Sequence, residues 1–135
     1  MAEIEEALTT YLLAQTGLTA LIDRRFFFEE LPQGTELPAV VCIKISDVKD
    51  HFLTEQSSLE RPMIQFTAHA STKAGARTVS NQLKTALCDY TGTLSGIFVQ
   101  LIRLENELSS LEKSSDGTTK TYTEDLEFEV IYEKE

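Results

Sequence analysis

Two histidines, His51 and His69, are the side chains of this 135-residue chain best suited to proton transfer or metal ligation near neutral pH. Neither has a second His or Cys at ligand spacing, so no metal site is expected. Gly92-Thr93-Leu94-Ser95-Gly96 approaches a nucleophile elbow, but its serine falls one place too late for G-x-S-x-G, and a helix-to-strand turn is expected there. No G-x-x-x-x-G-K-[ST] run exists to cradle phosphate. Glu5-Glu6 and Glu29-Glu30 are adjacent carboxylates, which diverge on a helix or turn and stay solvated rather than sharing a proton. The sequence thus predicts no catalytic residues, no cofactor and no small-molecule substrate.

The informative chemistry is in the charge. The chain carries 12 Lys and Arg against 22 Asp and Glu, a formal charge of −10 and a pI near 4.6. Residues 61–104 reverse that sign, with Arg61, Lys73, Arg77, Lys84 and Arg103 against Asp89 alone. Residues 105–135 then hold ten carboxylates against three lysines. Such polarity can present faces of opposite sign to copies of the same chain. The acidic excess argues against an ordinary phosphate-binding surface, which needs clustered cations.

A hydrophobic share of 41% is enough for one core, and the length suits one domain spanning residues 1–135. Cys42 and Cys88 lie in apolar surroundings and are expected as reduced core residues, not a disulfide framework. Neither a signal peptide nor a membrane span is read from the sequence.

The elements follow from periodicity. Ile4, Leu8, Tyr11 and Leu12 fall at helical spacing behind acidic residues, with Gly17 as the expected stop. Leu18 to Ile22 allow one more short turn, and Phe26-Phe27-Phe28 suit a small strand or a plug under the first helix. Pro32, Gly34 and Pro38 punctuate a loop before a β-branched strand over residues 39–46. Residues 47–60 are polar and read as a fourteen-residue loop, long enough to be a contact element. A strand over 61–70 and a helix over 72–90 ended by Gly92 come next, the helix striped by Ala76, Val79, Leu83, Leu87 and Tyr90. Residues 96–112 and 119–132 form the arms of a long hairpin turned at Asp116-Gly117. In its last arm Tyr122, Leu126, Phe128, Val130 and Tyr132 share one face, and Thr121, Thr123, Asp125, Glu127, Glu129 and Glu133 the other. The expected fold is α+β: a mainly antiparallel sheet of four to five strands, two helices packed on it, and a long C-terminal β-hairpin.

Read end to end, the chain resembles the tail-completion proteins of long-tailed bacteriophages, also called tail terminators or head–tail joining proteins. The likeness is carried in order by IEEALTTYLL at Ile4 to Leu13, by Leu31-Pro32-Gln33-Gly34 followed by Leu37-Pro38-Ala39-Val40-Val41, and by Arg61-Pro62-Met63-Ile64-Gln65-Phe66. It continues through Leu83-Lys84-Thr85-Ala86-Leu87, then Val99 to Glu107, and ends with Leu126-Glu127-Phe128-Glu129-Val130-Ile131-Tyr132.

The resemblance implies a virion structural protein, assembled in the bacterial cytoplasm, that forms a ring, commonly a hexamer, at the head-proximal end of the tail tube. Its implied partners are itself, the tail tube protein and the head connector or stopper, with double-stranded DNA passing through unbound and no membrane contact. A globule of this size has a radius of gyration of about 14 Å, too small to encircle a duplex alone. Within that frame Asp125, Glu127, Glu129 and Glu133 are candidates for a lumen face that repels DNA. Arg61, Arg77, Lys84 and Arg103 are candidates for subunit-interface charges. Asp50, Phe52, Glu55, Leu111, Lys113 and Asp116 mark candidate partner-contact loops. Two other readings stand beside this one: another neck or minor tail component, such as a head-completion stopper or adaptor, and a small protein-binding module with no virion role.

Overall fold

The computed structural model describes residues 4–32, 34–51, 56–113 and 120–133. Its elements are α1 (Ile4–Leu13), α2 (Thr16–Ile22), β1 (Phe26–Phe28), β2 (Ala39–His51), β3 (Gln56–Ala70), α3 (Lys73–Leu87), β4 (Gly92–Leu94), β5 (Ile97–Lys113) and β6 (Lys120–Glu133). The α+β expectation stands, with one helix and at least one strand more than foreseen. The added helix is α2, where only a turn was expected; β1 is the small strand allowed for at Phe26–Phe28, and β4 is the added strand.

All six strands form one sheet in the order β1-β2-β3-β6-β5-β4. Every neighbouring pair is antiparallel except β1 with β2. The last strand in sequence therefore lies inside the sheet, between β3 and β5. Its alternation decides which face meets the helices. Leu126, Phe128 and Val130 are fully buried, while Asp125, Glu127 and Glu129 are only partly covered. Leu126 stands opposite Phe66 and Phe128 opposite Ile64, so the buried sets of β3 and β6 share one face. On that face the Phe66 and Phe128 rings meet edge to face at 5.9 Å, and Phe26 extends the cluster at 6.2 Å from Phe66.

All three helices cover this same face. α1 contributes Ile4, Ala7, Leu8 and Leu12, α2 contributes Leu18 and Ile22, and α3 contributes Ala76, Val79, Leu83 and Leu87. Thr72 caps α3, its Oγ1 accepting from the Gly75 N–H at 3.0 Å. Tyr11 ties α1 to the end of α3 by donating its hydroxyl to the Ala86 carbonyl at 2.8 Å.

Three local expectations are corrected. Gly17 does not stop α1; it lies in the first turn of α2 at a close approach to α3, where a Cβ would collide with Gln82 Oε1. Asp89, at φ 60°, turns the chain out of α3, and Gly92 instead begins β4. Residues 92–96 are not a helix-to-strand turn but a tight hairpin. Leu94 pairs with Ile97, and Ser95 and Gly96 both take positive φ, as a primed turn requires.

The largest correction concerns the fourteen-residue loop. β2 runs through His51 and β3 starts at Gln56, with Asp47 opposite Pro62, Val48 opposite Arg61, and Lys49 opposite Glu60. Backbone pairing runs through this part without a break at the loop boundaries expected from the sequence. No hydrophobic alternation marks it in the sequence. Pro62 is accordingly not at a strand start but inside β3. The described pairing with β6 skips from Glu60–Tyr132 to Met63–Glu129 around it, since a proline has no N–H to donate.

The expected consequence is a steep energetic contrast between the two faces. Phe128→Ala should cost about 3–5 kcal/mol, the range for emptying a buried aromatic site. Leu108→Ser, at a position 52% exposed, should stay within about 0.5 kcal/mol of wild type. Urea unfolding of both variants measures the difference.

Candidate assembly face

The face opposite the helices holds the charged chemistry. On β6 it presents Thr123, Asp125, Glu127, Glu129 and Ile131. The neighbouring positions are Thr67, Gln65 and Met63 on β3, and Ser110, Leu108, Asn106 and Arg103 on β5. Toward β1 and β2 the face becomes apolar, through Phe27, Val41, Ile43 and Ile45, the last 48% exposed. One surface thus grades from apolar at one side to acidic near the middle.

The predicted carboxylate row is present on one strand but unevenly charged in effect. Asp125 and Glu127 stand opposite Thr67 and Gln65, neutral groups that compensate nothing. Glu129 accepts from Arg103 Nη2 at 2.9 Å, and the same guanidinium lies 3.5 Å from Glu105. Glu133, exposed at the strand end, accepts from Gln100 Nε2 at 3.1 Å. Thr123 is buried beside the Ser110 hydroxyl and contributes no charge.

The predicted interface cations do not form one patch. Arg103 is spent on Glu129 and Glu105. Lys84, on α3, donates to Glu107 Oε1 at 2.7 Å. Arg61 is exposed on β3 and engaged within the chain. Arg77 is exposed on α3, in the helix layer. The positive and negative segments of the sequence are therefore cross-linked by tertiary pairing. No sequence signal announced these partners, because Lys84 and Glu107 are 23 positions apart and Arg103 and Glu129 are 26 apart.

Of the predicted contact residues, Phe52, Glu55 and Asp116 lie outside the described residues, as does the Asp116-Gly117 turn. Asp50 is in the last part of β2, whereas Leu111 and Lys113 end β5. These groups occupy opposite ends of the sheet. Leu59, near the β2–β3 end, pairs with Glu133 at the close of β6, and Ala70 pairs with Tyr122 near its start. At the second end a cavity of about 220 Å³ is lined by Lys73, Ala76, Leu111, Tyr122 and Glu124, room for a side chain rather than a substrate.

His69 sits on the acidic face between Ala39 and Thr123. Burial lowers its pKa from the ordinary 6.5, against the opposing pull of Glu112 and Asp125. Cys42 is buried on the helix side, its thiol pushed up to about 12 by burial and then by Glu5 and Glu29. Cys88 is only partly buried, not the full core residue expected, and its pKa too is raised, chiefly by burial. Among the described residues no cluster of His, Cys, Asp and Glu suited to a metal is found.

A helix-backed sheet with an open, graded face and a hairpin arm at each end defines an assembly module, built to meet other protein surfaces. The chain belongs to the family of tail completion protein gp17, whose profile matches residues 6–133. It is thus a structural component of the tail of a phage-like virion. A chain in a solved structure described as the virion of a native gene transfer agent particle shares the fold, with a TM-score of 0.64 at 16% identity. The match covers 98% of this chain and 99% of that one. No curated protein matches the sequence.

The lowered His69 pKa carries a sign. The unfolded chain binds the proton more readily, so His69 costs folding stability as pH falls below about 6.5 and nothing above it. Melting temperatures of wild type and His69→Gln, measured at pH 7.5 and 5.5, should differ more at the lower pH, with the variant losing less on acidification.

Proposed function

We propose that this protein closes the head-proximal end of the tail tube as a ring of identical subunits, stopping tube growth and joining the tail to the head connector. The observation that carries the reading is the placement of the two hairpin arms at opposite ends of one sheet. A subunit at a junction needs two separate contact ends, one for the tube and one for the connector. The family fits that role. Leu111 and Lys113 belong to one contact end and Asp50 to the other.

In such a ring the acidic sheet face is the surface that lines the lumen. Asp125 and Glu127 are its working charges, with Glu133 at the rim and Glu129 neutralised by Arg103. Carboxylates repel backbone phosphates within roughly a Debye length, about 8 Å at physiological ionic strength. DNA then passes without being gripped. Arg77 remains the proposed subunit-interface charge, because Lys84, Arg103 and Arg61 are already engaged within the chain.

Two measurements test the proposal. Assembly without this protein should yield tubes of uncontrolled length that fail to join heads, scored by electron microscopy. Tubes of normal length would sink the capping role, and normal length with failed joining would favour a stopper or adaptor. The double variant Asp125→Lys and Glu127→Lys should slow DNA release, with the delay shrinking as salt rises. Unchanged release would rule out the lumen assignment.

A further inference from the structure

The sheet is not closed at its sides. β4 covers β5 only over Ile97 to Val99, and Asp89 and Tyr90 add backbone bonds to Ile102. Beyond that, no described residue pairs with the outer edge of β5, and every residue from 105 to 113 is exposed. On the other side β1 covers β2 only over Val40 to Cys42. Glu29 closes that contact by donating its N–H to the Cys42 carbonyl. Residues 43–51 have no described partner on their outer edge.

The outward backbone groups can be assigned by alternation. Ile102 bonds outward through both its N–H and its C=O. Carried through the bulge between Leu104 and Asn106, the alternation turns the groups of Glu107, Ser109 and Leu111 outward, since the intervening residues face β6. The Glu107 N–H is taken by its neighbour's side chain, Asn106 Oδ1, at 3.0 Å. On β2 the residues facing β1 are Val40 and Cys42, and the bulge between Lys44 and Ser46 makes Asp47 and Lys49 the outward pair.

We infer that neighbouring copies of this chain join by strand addition, the free edge of β5 in one copy pairing antiparallel with the free edge of β2 in the next. The two runs match in length, nine residues or roughly 30 Å each. β2 and β5 run in opposite directions within the sheet, so a copy added in the same sense continues the antiparallel order. An edge with Leu108 and Leu111 exposed on its two sides is one that proteins normally cover.

Charge decides between partners. The β5 run carries Glu105, Glu107 and Glu112 against Lys113, so pairing β5 with β5 would concentrate like charge along the seam. The β2 run holds Lys44 and Lys49 against Asp47 and Asp50, so it adds no net charge to the acidic β5 edge. A pairing of two different edges is heterologous, so it does not stop at two copies, and it forms a ring when the rotation from copy to copy closes. The inference rests on the ring reading above and gives that ring its subunit joint.

The test uses the purified full chain at about 0.5 mM. Native mass spectrometry should show a closed oligomer. Ser109→Pro removes an outward N–H and no bond to β6, so the variant should keep its melting temperature and run as a monomer. Hydrogen exchange on the wild-type oligomer should show slowed exchange in both 43–51 and 105–113 relative to the dilute monomer, which keeps the test decisive if the proline variant misfolds. A folded Ser109→Pro that still forms the oligomer, or an oligomer in which neither segment is protected, overturns the inference and leaves tail capping intact. A dimer protected only at 105–113 overturns the pairing with β2, and a wild-type chain monomeric at that concentration overturns strand addition altogether. Failure of the capping role appears separately, as normal tube lengths in its absence.

Discussion

The structure depends on one strand having two incompatible faces. Along β6, Leu126, Phe128 and Val130 are fully buried, and the residues between them are carboxylates. A slip of one residue would drive Asp125, Glu127 and Glu129 into the helix-covered core and expose the apolar set. Burying unpaired carboxylates costs far more than the slip could regain. The register of β6 is therefore fixed on both sides at once, against Phe66 and Ile64 of β3 and against Ile102 and Leu104 of β5. Because β6 pairs on both edges, its register aligns the buried faces of β3 and β5 at the same time.

From that constraint comes the division of labour between layers. The helix side is core and contains the buried Cys42 and the packed phenylalanines. The opposite side is free to carry charge, and it does so where the chain's acidity can meet another surface. The cations of residues 61–104 do not form an opposing patch. Lys84 and Arg103 fold back onto Glu107 and Glu129, so much of the polarity along the sequence is neutralised in three dimensions. What remains is narrower than the composition suggested: Asp125 and Glu127 at the middle of the face, for which no ion pair with Lys or Arg is found among the described residues, and Glu133 at its end.

Strand length carries the second theme. β2, β3, β5 and β6 are long, and the outer runs of β2 and β5 pair with one neighbour only among the described residues. That geometry makes two arms and two bare edges. A self-sufficient monomer would shorten or cover such edges. In a subunit of a larger particle they are the natural place for the next copy.

Much was legible in the residues alone. The 3.6-residue stripe of Ala76, Val79, Leu83 and Leu87 specified α3. The strict alternation from Leu126 to Tyr132 specified both the buried and the acidic face of β6, and the order of motifs pointed to the family. These signals are local, because each face of a helix or strand is written at a fixed period. The outer halves of β2 and β3 were read as a loop because ladder hydrogen bonds leave no mark on side-chain choice. Gly17 was read as a stop because the reason for it, Gln82 of α3, lies far along the chain. Which cation meets which carboxylate, which strands are neighbours and which edges stay open were all decided by tertiary structure. Those are relations between distant segments, and they exist only once the strands have paired and their buried faces have met under the helices.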